Sequence, residues 1–281
     1  MPESMASAAD LLKQELLKHI QALGLEGQAI CIHSSLRSAS PRISANDLID
    51  TFLLAGCTML VPTFTYFYDS SPGNEDKPAR NGIDYSNDTQ SVVARTNVEI
   101  YNNTNNELSL QEMGGFNAAI LSRPDRIRGN HSLNSFTALG RLAHQLIDDQ
   151  GPEDVYAPLR KLTELSGRLL LMGTDLTSLT FIHYAEQISG RKLFIRWALG
   201  EDGRTCRFRV GSCSRGFNNL QATVANITDK SSLNGSTWQV LRANEALDQI
   251  STKVHLTPTI TQCDDINCLR CIDAVAGGPL E

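Results

Sequence analysis

The sequence has no excess of positive charge. Its 25 Lys and Arg stand against 31 Asp and Glu, a formal net charge of −6 over 281 residues. Without a basic field, nucleic acid is not expected as a partner, although a local basic pocket for a phosphorylated ligand stays open. Long hydrophobic runs are missing too. The most apolar window, Phe52 to Pro62, falls short of the roughly 20 residues that a bilayer-spanning helix needs. The first residues, MPESMASAADLLKQ, contain acids and lack the apolar segment of a secretory signal. These absences point to a cytoplasmic protein with no membrane partner. Seven cysteines are an odd number, so a disulfide framework is not expected. There is no HExxH motif, no internal repeat and no low-complexity linker, and one domain over residues 1–281 is expected.

What is present alternates. Residues 8–23 place Leu11, Leu12, Leu16, Leu17, Ile20 and Leu23 on one helical face. QAICIHSS then reads as a strand. A helix follows over 44–54, with Ser44 as its cap and Asp47 at the capping-box position. CTMLVPTFTY is a second apolar strand. Helix, strand, helix, strand is the pattern of a layered α/β fold.

Residues 69–112 break the pattern with polar, turn-rich stretches, SSPGNEDKPARNG and NNTNNE among them. This excursion is either a functional lid or a surface insertion. Beyond it, GFNAAILSR and PLRKLTELSG read as helices and RLLLMGT as a buried strand. SFTALGRLAHQLIDD reads as one amphipathic helix carrying Phe136, Leu139, Leu142, Ala143 and Leu146. TSLTFIHYAEQISG opens another helix. KLFIRWALGEDGRTCRFRVG reads as a hairpin turning at Gly200 to Gly203, and STWQVLRANEALDQIS as a further helix.

Three stretches can carry chemistry. In IHSSLRSAS, Ile32 to Ser40, serines, a histidine and an arginine follow a strand end, where α/β folds bind ligands. Hydroxyls and a guanidinium there suit phosphate oxygens, and an ordinary turn is the alternative. In RIRGNHSLNSFTALG, Arg126, Arg128 and His131 precede a helix expected near Ser132, whose N-terminus would favour an anion. In TFIHYAEQ, His183 and Glu186 share a helical face. An imidazole can take a proton near neutral pH, and a carboxylate in reach fixes its tautomer. A satisfied core histidine is the alternative reading.

Taken in order, HSSLRS, CTMLVPTFT, MGGFNAAILSRPDRIRGNHSLNSFTALG, APLRKL and GRLLLMGTDLTSLTFIHYAE resemble the aminoglycoside 3-N-acetyltransferase family. The resemblance implies a single layered α/β/α domain with a mixed central sheet, unlike the GNAT acetyltransferases. It implies acetyl-CoA as cosubstrate and transfer of its acyl group to a primary amine of a small molecule, aminoglycoside-like or a natural-product intermediate. His33, Ser34, Ser35, Leu36 and Arg37 would contact the pantetheine and phosphates. Arg128, His131 and Ser135 would line the same groove. His183 would be the general base and Glu186 its support. Two departures from the family pattern stand at Asn117-Ala118 and at Arg128-Gly129-Asn130-His131-Ser132, which lacks the family's proline. Glu75, Asp76, Asp84 and Asp88 in the excursion are candidates to hold a cationic acceptor.

Cys263, Cys268 and Cys271 form C-x4-C-x2-C, and Cys213 can supply a fourth thiolate. Four sulfurs around zinc would make a closed structural site, and buried free thiols are the alternative. Cys31, inside a strand, is expected to be inert. A homo-oligomer is open. Two other functions remain at this stage. One is a CoA-binding module without catalysis. The other is a zinc-dependent hydrolase using His183, Glu186 and His131 as ligands.

Overall fold

The computed structural model describes residues 8–38, 43–86, 99–200 and 202–280. Ser40 and Asp88 lie outside the described residues. The chain runs through α1 (Ala8–Ala22), β1 (Ala29–Ser34), α2 (Ala45–Leu54), β2 (Thr58–Pro62) and α3 (Leu110–Leu121). It continues with β3 (Ile127–Arg128), β4 (Phe136–Leu139), α4 (Ala143–Ile147), α5 (Ala157–Glu164), β5 (Arg168–Met172) and α6 (Phe181–Ile188). Then come β6 (Phe194–Leu199), β7 (Thr205–Val210), α7 (Gln221–Val224), β8 (Thr228–Leu233), β9 (Ser236–Arg242), α8 (Ala243–Leu256) and α9 (Leu269–Val275).

Seven strands form one sheet in the order β3-β4-β2-β1-β5-β9-β8. Strand β1 pairs in parallel with both β2 and β5, while β4, β9, β3 and β8 attach antiparallel at the two sides. The sheet is therefore mixed around a parallel centre. Its central strands are buried on both faces, which is why AICI, TMLVP and LLLM read as unbroken apolar runs. Side chains alternate between faces with period two. Cys31, Leu60, Leu169 and Leu171 join the core beneath α4, α5, α6 and α8. Ile30, Ile32, Met59, Val61, Leu170 and Met172 join the core beneath α1, α2 and α3. This is the α/β/α layering expected from the sequence. The same alternation turns His33 to the face of Cys31, towards α6.

Two expected helices begin as strands. Phe136 to Leu139 is the buried strand β4, paired with β2, and the helix starts only at Ala143. A four-residue run buried on both sides has no alternation to betray it. Ser236 to Arg242 is β9, and helix α8 begins after it. Strand β9 pairs with the polar strand β8 through a turn at Asn234 and Gly235, at φ of 50° and 74°, and this Asn-Gly pair is a strong hairpin signal. No helix begins near Ser132, so the expected anion site at a helix N-terminus is corrected. Ser44 precedes α2 but makes no capping bond, and Asp47 pairs with Lys13 at 3.1 Å instead.

The hairpin of β6 and β7 lies apart from the main sheet. Its core includes Phe194, Ala198, Phe208 and Val210, with Tyr68 and Tyr101 from the excursion and Ala274 from α9. The described part of the excursion is anchored. Ser70 bridges to Trp197, Arg80 bridges to Leu280, and the Tyr101 hydroxyl donates to the Gly129 carbonyl at 2.9 Å. Among the described residues, no helix is long and apolar enough to cross a membrane.

Candidate active site

Parallel strands bring their carboxyl ends to one edge, and ligands of open α/β sheets bind there, where the strand order reverses. Here β1 leads through α2 to β2 on one side, and β5 lies on the other. A cavity of about 480 Å³ opens at this edge. His33 and Ser34 at the end of β1, Pro62 and Phe64 at the end of β2, and Thr177 and Ser178 after β5 line one side of it. Tyr66, Asp69, Glu112, Arg196 and Arg270 also face it, and His183 of α6 enters it together with Gly211 and Ser212.

His183 is held on every side. Its Nδ1 lies 3.0 Å from Glu186 Oε2. The ring stacks on Tyr156 at 6.5 Å, nearly parallel, and meets the edge of Phe217 at 4.7 Å. Spacing i, i+3 on α6 creates the pair, as the sequence indicates. Glu186 is buried and its carboxylate is fully engaged. Oε2 also accepts from Ser212 Oγ at 3.0 Å. Oε1 accepts from Thr261 Oγ1 at 2.8 Å and from the Arg191 guanidinium. Burial alone pushes its pKa up. The hydrogen bond and charge of His183, the Arg191 cation and the Thr261 hydroxyl outweigh that and hold it below the usual value. An ionised Glu186 requires the proton on Nδ1. The lone pair is then on Nε2, which has no protein partner among the described residues.

His33 lines the cavity, and burial lowers its pKa to about 4, so its imidazole is neutral. Its Nε2 is 3.8 Å from the sulfur of Cys31. That thiol is fully buried and pushed up to about 12, which leaves it un-ionised. The Ser34 hydroxyl is buried without a hydrogen-bond partner at the cavity wall. The Ser35 backbone N–H is spent on the Met172 carbonyl at 2.8 Å. Leu36 and Arg37 lie on the 3-10 turn that follows, with Arg37 exposed.

The second expected group sits elsewhere. Arg128, His131 and Ser135 are buried and do not line the cavity. The Arg128 guanidinium donates to the Thr63 and Glu107 carbonyls and to Asn105 Oδ1, each at 2.8 Å, and to Ser135 Oγ at 3.1 Å. His131 Nδ1 accepts from the Asn134 N–H at 2.9 Å, and Nε2 donates to the Arg209 carbonyl at 2.9 Å. Burial lowers its pKa to about 4. These side chains tie the excursion and the hairpin to the sheet. With both ring nitrogens occupied, His131 cannot join His183 and Glu186 as a metal ligand. Of the excursion's acids, Asp69 and Glu112 face the cavity. Glu75, Asp76 and Asp84 do not, and Asp76 pairs with Arg207 at 2.9 Å.

Among the described residues, one set of His, Cys, Asp and Glu side chains can hold a metal. It is Cys213, Cys263, Cys268 and Cys271, whose sulfurs all lie within 4.8 Å of one another. The Cys263 N–H donates to the Cys271 sulfur at 3.4 Å. Sequence reasoning brought these four together and found the His183–Glu186 pair. It missed Thr177 and Ser178, although their place after a buried strand was a usable signal. It also missed Tyr156, Arg191, Gly211, Ser212 and Thr261, which no local pattern marks.

The fold and this edge define an α/β protein with a buried imidazole–carboxylate pair opening onto a cavity at the carboxyl end of its parallel strands. Residues 31–251 match the family described as aminoglycoside 3-N-acetyltransferase, and the chain belongs to that family. It is 39% identical over 71 residues to aminoglycoside N(3)-acetyltransferase VIII of Streptomyces fradiae, a match covering 24% of this chain and 25% of that protein. It is 38% identical over 74 residues to aminoglycoside N(3)-acetyltransferase VII of Streptomyces paromomycinus, covering 25% and 26%. The chain thus spans about a quarter of the length of the curated relatives it matches. Among solved structures, the YokD protein of Bacillus subtilis superposes with a TM-score of 0.72 at 21% identity, covering 88% of this chain and 94% of that one. Aminoglycoside acetyltransferase AAC(3)-IVa in complex with a gentamicin gives 0.71 at 19%, covering 94% and 96%. AAC-IIIb with CoASH gives 0.69 at 19%, covering 87% and 96%. At these identities the structures bear on the fold.

Proposed function

We propose that residues 1–281 act as one acetyltransferase-like domain that moves an acetyl group from acetyl-CoA to a primary amine of a small molecule, with His183 as general base. The observation that carries this reading is His183 itself. Its Nδ1 is fixed by an ionised carboxylate, and the ring lines the cavity with no protein partner on Nε2 among the described residues. An ammonium is no nucleophile, so the incoming amine must lose a proton. That proton goes to solvent, and Nε2 takes a second one from the neutral amine as its nitrogen attacks the thioester carbonyl. Glu186 stabilises the imidazolium that forms. The carbon–sulfur bond breaks, the thiolate leaves, and the imidazolium can return the proton to it. General-base help of this kind is worth ~10² to 10⁴-fold. The buried, unpartnered Ser34 hydroxyl is the donor we assign to the developing oxyanion.

The pantetheine arm would run past His33, Ser34, Thr177 and Ser178, with exposed Arg37 available to the phosphates. Asp69 and Glu112 at the other side would meet a cationic amine. Membership of the family, with gentamicin and CoASH bound to structural neighbours, favours this reading. The four cysteines are read as thiolates around one structural zinc. A cytoplasmic enzyme that uses two diffusible small molecules fits these features, and nothing in the reading requires an oligomer.

The deciding experiment is a thiol-release assay with acetyl-CoA across a panel of amines, aminoglycosides included, for the wild type and His183→Ala. Amine-dependent release lost in the variant is expected. Equal release in both removes the base, release without an amine marks a thioesterase, and CoA binding without turnover marks a non-catalytic module.

A further inference from the structure

The four sulfurs and the imidazole–carboxylate pair share their supports. Cys213 directly follows Ser212, whose hydroxyl donates to Glu186 Oε2 at 3.0 Å. Cys263 stands two residues after Thr261, whose hydroxyl donates to Glu186 Oε1 at 2.8 Å. Arg191 links the rest. It donates to Glu186, to Thr261 Oγ1 at 2.8 Å and to the Pro258 carbonyl. Two chain segments, 211–216 and 258–263, therefore deliver two of the four side chains that hold the Glu186 carboxylate, and 258–263 also fastens a third, Arg191. Neither belongs to the sheet. They meet at Gly216, where a β-carbon would fall 2.1 Å from the Gln262 carbonyl oxygen, so the backbones are in direct contact.

The cysteines join the same two segments and add the start of α9. Zn–S bonds of about 2.3 Å in a tetrahedron give S···S edges of about 3.8 Å. The sulfurs here lie within 4.8 Å of one another, and Cys263 and Cys271 are 3.5 Å apart. Four soft sulfur donors in one compact set suit zinc among the divalent metals. The Arg215 guanidinium, which donates to Asp265 Oδ2 at 3.4 Å, lies near Cys213 and Cys268, where its charge offsets the surplus negative charge of four thiolates. Arg270, between Cys268 and Cys271, faces the cavity.

We propose that Cys213, Cys263, Cys268 and Cys271 bind one zinc ion that acts as a positioning clamp for the acid–base pair. It locks segment 211–216 to segment 258–263, which keeps Ser212, Thr261 and Arg191 on Glu186 and Glu186 on His183. The ion touches no reactant. This rests on His183 being the base, and it adds that the base is properly oriented only in the metal-loaded protein.

The test begins with metal content of the purified full chain, where one zinc per chain is expected. Zinc is then stripped with a chelator and a mercurial, the thiols are freed, and zinc is added back. Three readouts follow: kcat, KM for acetyl-CoA, and the downfield proton resonance of the His183 Nδ1–H bonded to Glu186. Stripping is expected to erase that resonance and lower kcat about 10 to 100-fold, the usual cost of losing a ligand-orienting shell. KM for acetyl-CoA should stay unchanged, and zinc should restore all three. A protein without zinc, a Cys263–Cys271 disulfide in its place, or a stripped protein with its resonance and kcat intact overturns the proposal. If stripping unfolds the chain, the double variant Ser212→Ala, Thr261→Val decides. It keeps its zinc and should show the same loss of resonance and kcat, and an unaltered resonance refutes the clamp. Activity surviving His183→Ala would defeat the base assignment instead, while the resonance would still report on the clamp.

Discussion

Gly211 lies flat against His183: a β-carbon at this glycine would fall 2.6 Å from the imidazole Cγ and 2.5 Å from the Tyr156 hydroxyl. The glycine lets the hairpin's exit strand close over the ring that Tyr156 and Phe217 already confine. Its backbone conformation is one any residue can adopt, so the constraint is space alone. Gly211→Ala is expected to fold, with an unaltered far-UV spectrum, and to displace the ring. A displacement of about 1 Å at a reacting group can cost ~10²-fold. The check is kcat for amine acetylation, which should fall by that order while acetyl-CoA still binds.

Glu186 separates orientation from charge. Glu186→Gln retains an acceptor for Nδ1 but no charge to stabilise an imidazolium, so kcat should drop. Glu186→Ala should do more. It strands the Arg191 guanidinium, which is nine-tenths buried, with one partner fewer. Removing one member of a buried pair costs about 3–5 kcal/mol. The unfolding free energy of Glu186→Ala in urea should fall below the wild type by that order, and wild-type stability would show that Arg191 is satisfied without the carboxylate.

Acid should weaken the fold through His33 and His131. Burial lowers both to about 4 from an ordinary 6.5. Between those values the unfolded chain binds protons that the native chain refuses, so stability rises with pH. The contribution is complete above 6.5 and is lost as pH falls towards 4, on the order of 3 kcal/mol per histidine. Glu186, held below the usual carboxylate value, adds a loss of the same sign at lower pH. Unfolding free energy measured from pH 7 to pH 4 should follow this slope, and His131→Asn should flatten it by about half.

The sequence made the parallel centre legible because its strands are buried on both faces and leave continuous apolar runs. It made the His183–Glu186 pair legible because helical spacing alone brings i and i+3 together. The cysteines could be grouped because chelating spacing is local for three of them. What stayed hidden depends on distant contacts. Arg191, Ser212 and Thr261 meet at Glu186 only through the docking of loops that share no pattern. Arg128 and His131 looked like anion ligands because charge is visible in a sequence and burial is not. The strand at Phe136 to Leu139 was hidden for a related reason, since its run is too short for a period to show.

Arg128 therefore yields a prediction opposite to that of a cofactor ligand. Its guanidinium donates to the buried Thr63 carbonyl and to the carbonyl of exposed Glu107, and it packs over the Tyr101 ring at 5.1 Å. Arg128→Ala would leave the Thr63 carbonyl with only the Ser135 hydroxyl, at 2.9 Å, and remove the guanidinium from Asn105 and Glu107, at about 1.5–3 kcal/mol for each charged hydrogen bond lost. A large fall in melting temperature is expected, with KM for acetyl-CoA unchanged in the fraction that folds. Arg128→Lys should rescue little, because a point charge cannot reproduce the planar fork. A raised KM with unaltered stability would instead put this arginine in the cofactor groove.

Cys31 decides between direct transfer and a covalent acyl-enzyme. It lies on the core face of β1, fully buried, with its thiol pushed up to about 12. A nucleophilic cysteine needs the opposite, a lowered pKa and access to substrate. Its nearest imidazole, His33, is itself neutral and buried, so no ion pair forms to activate the sulfur. Cys31→Ser is therefore expected to keep most of the turnover, with initial-rate patterns that intersect as for a ternary complex. Mass spectrometry of the wild type quenched in acetyl-CoA without amine should find no added acetyl group on residues 29–34. Parallel initial-rate lines, or an acetylated Cys31, would replace His183's direct abstraction from the amine with a two-step relay through sulfur.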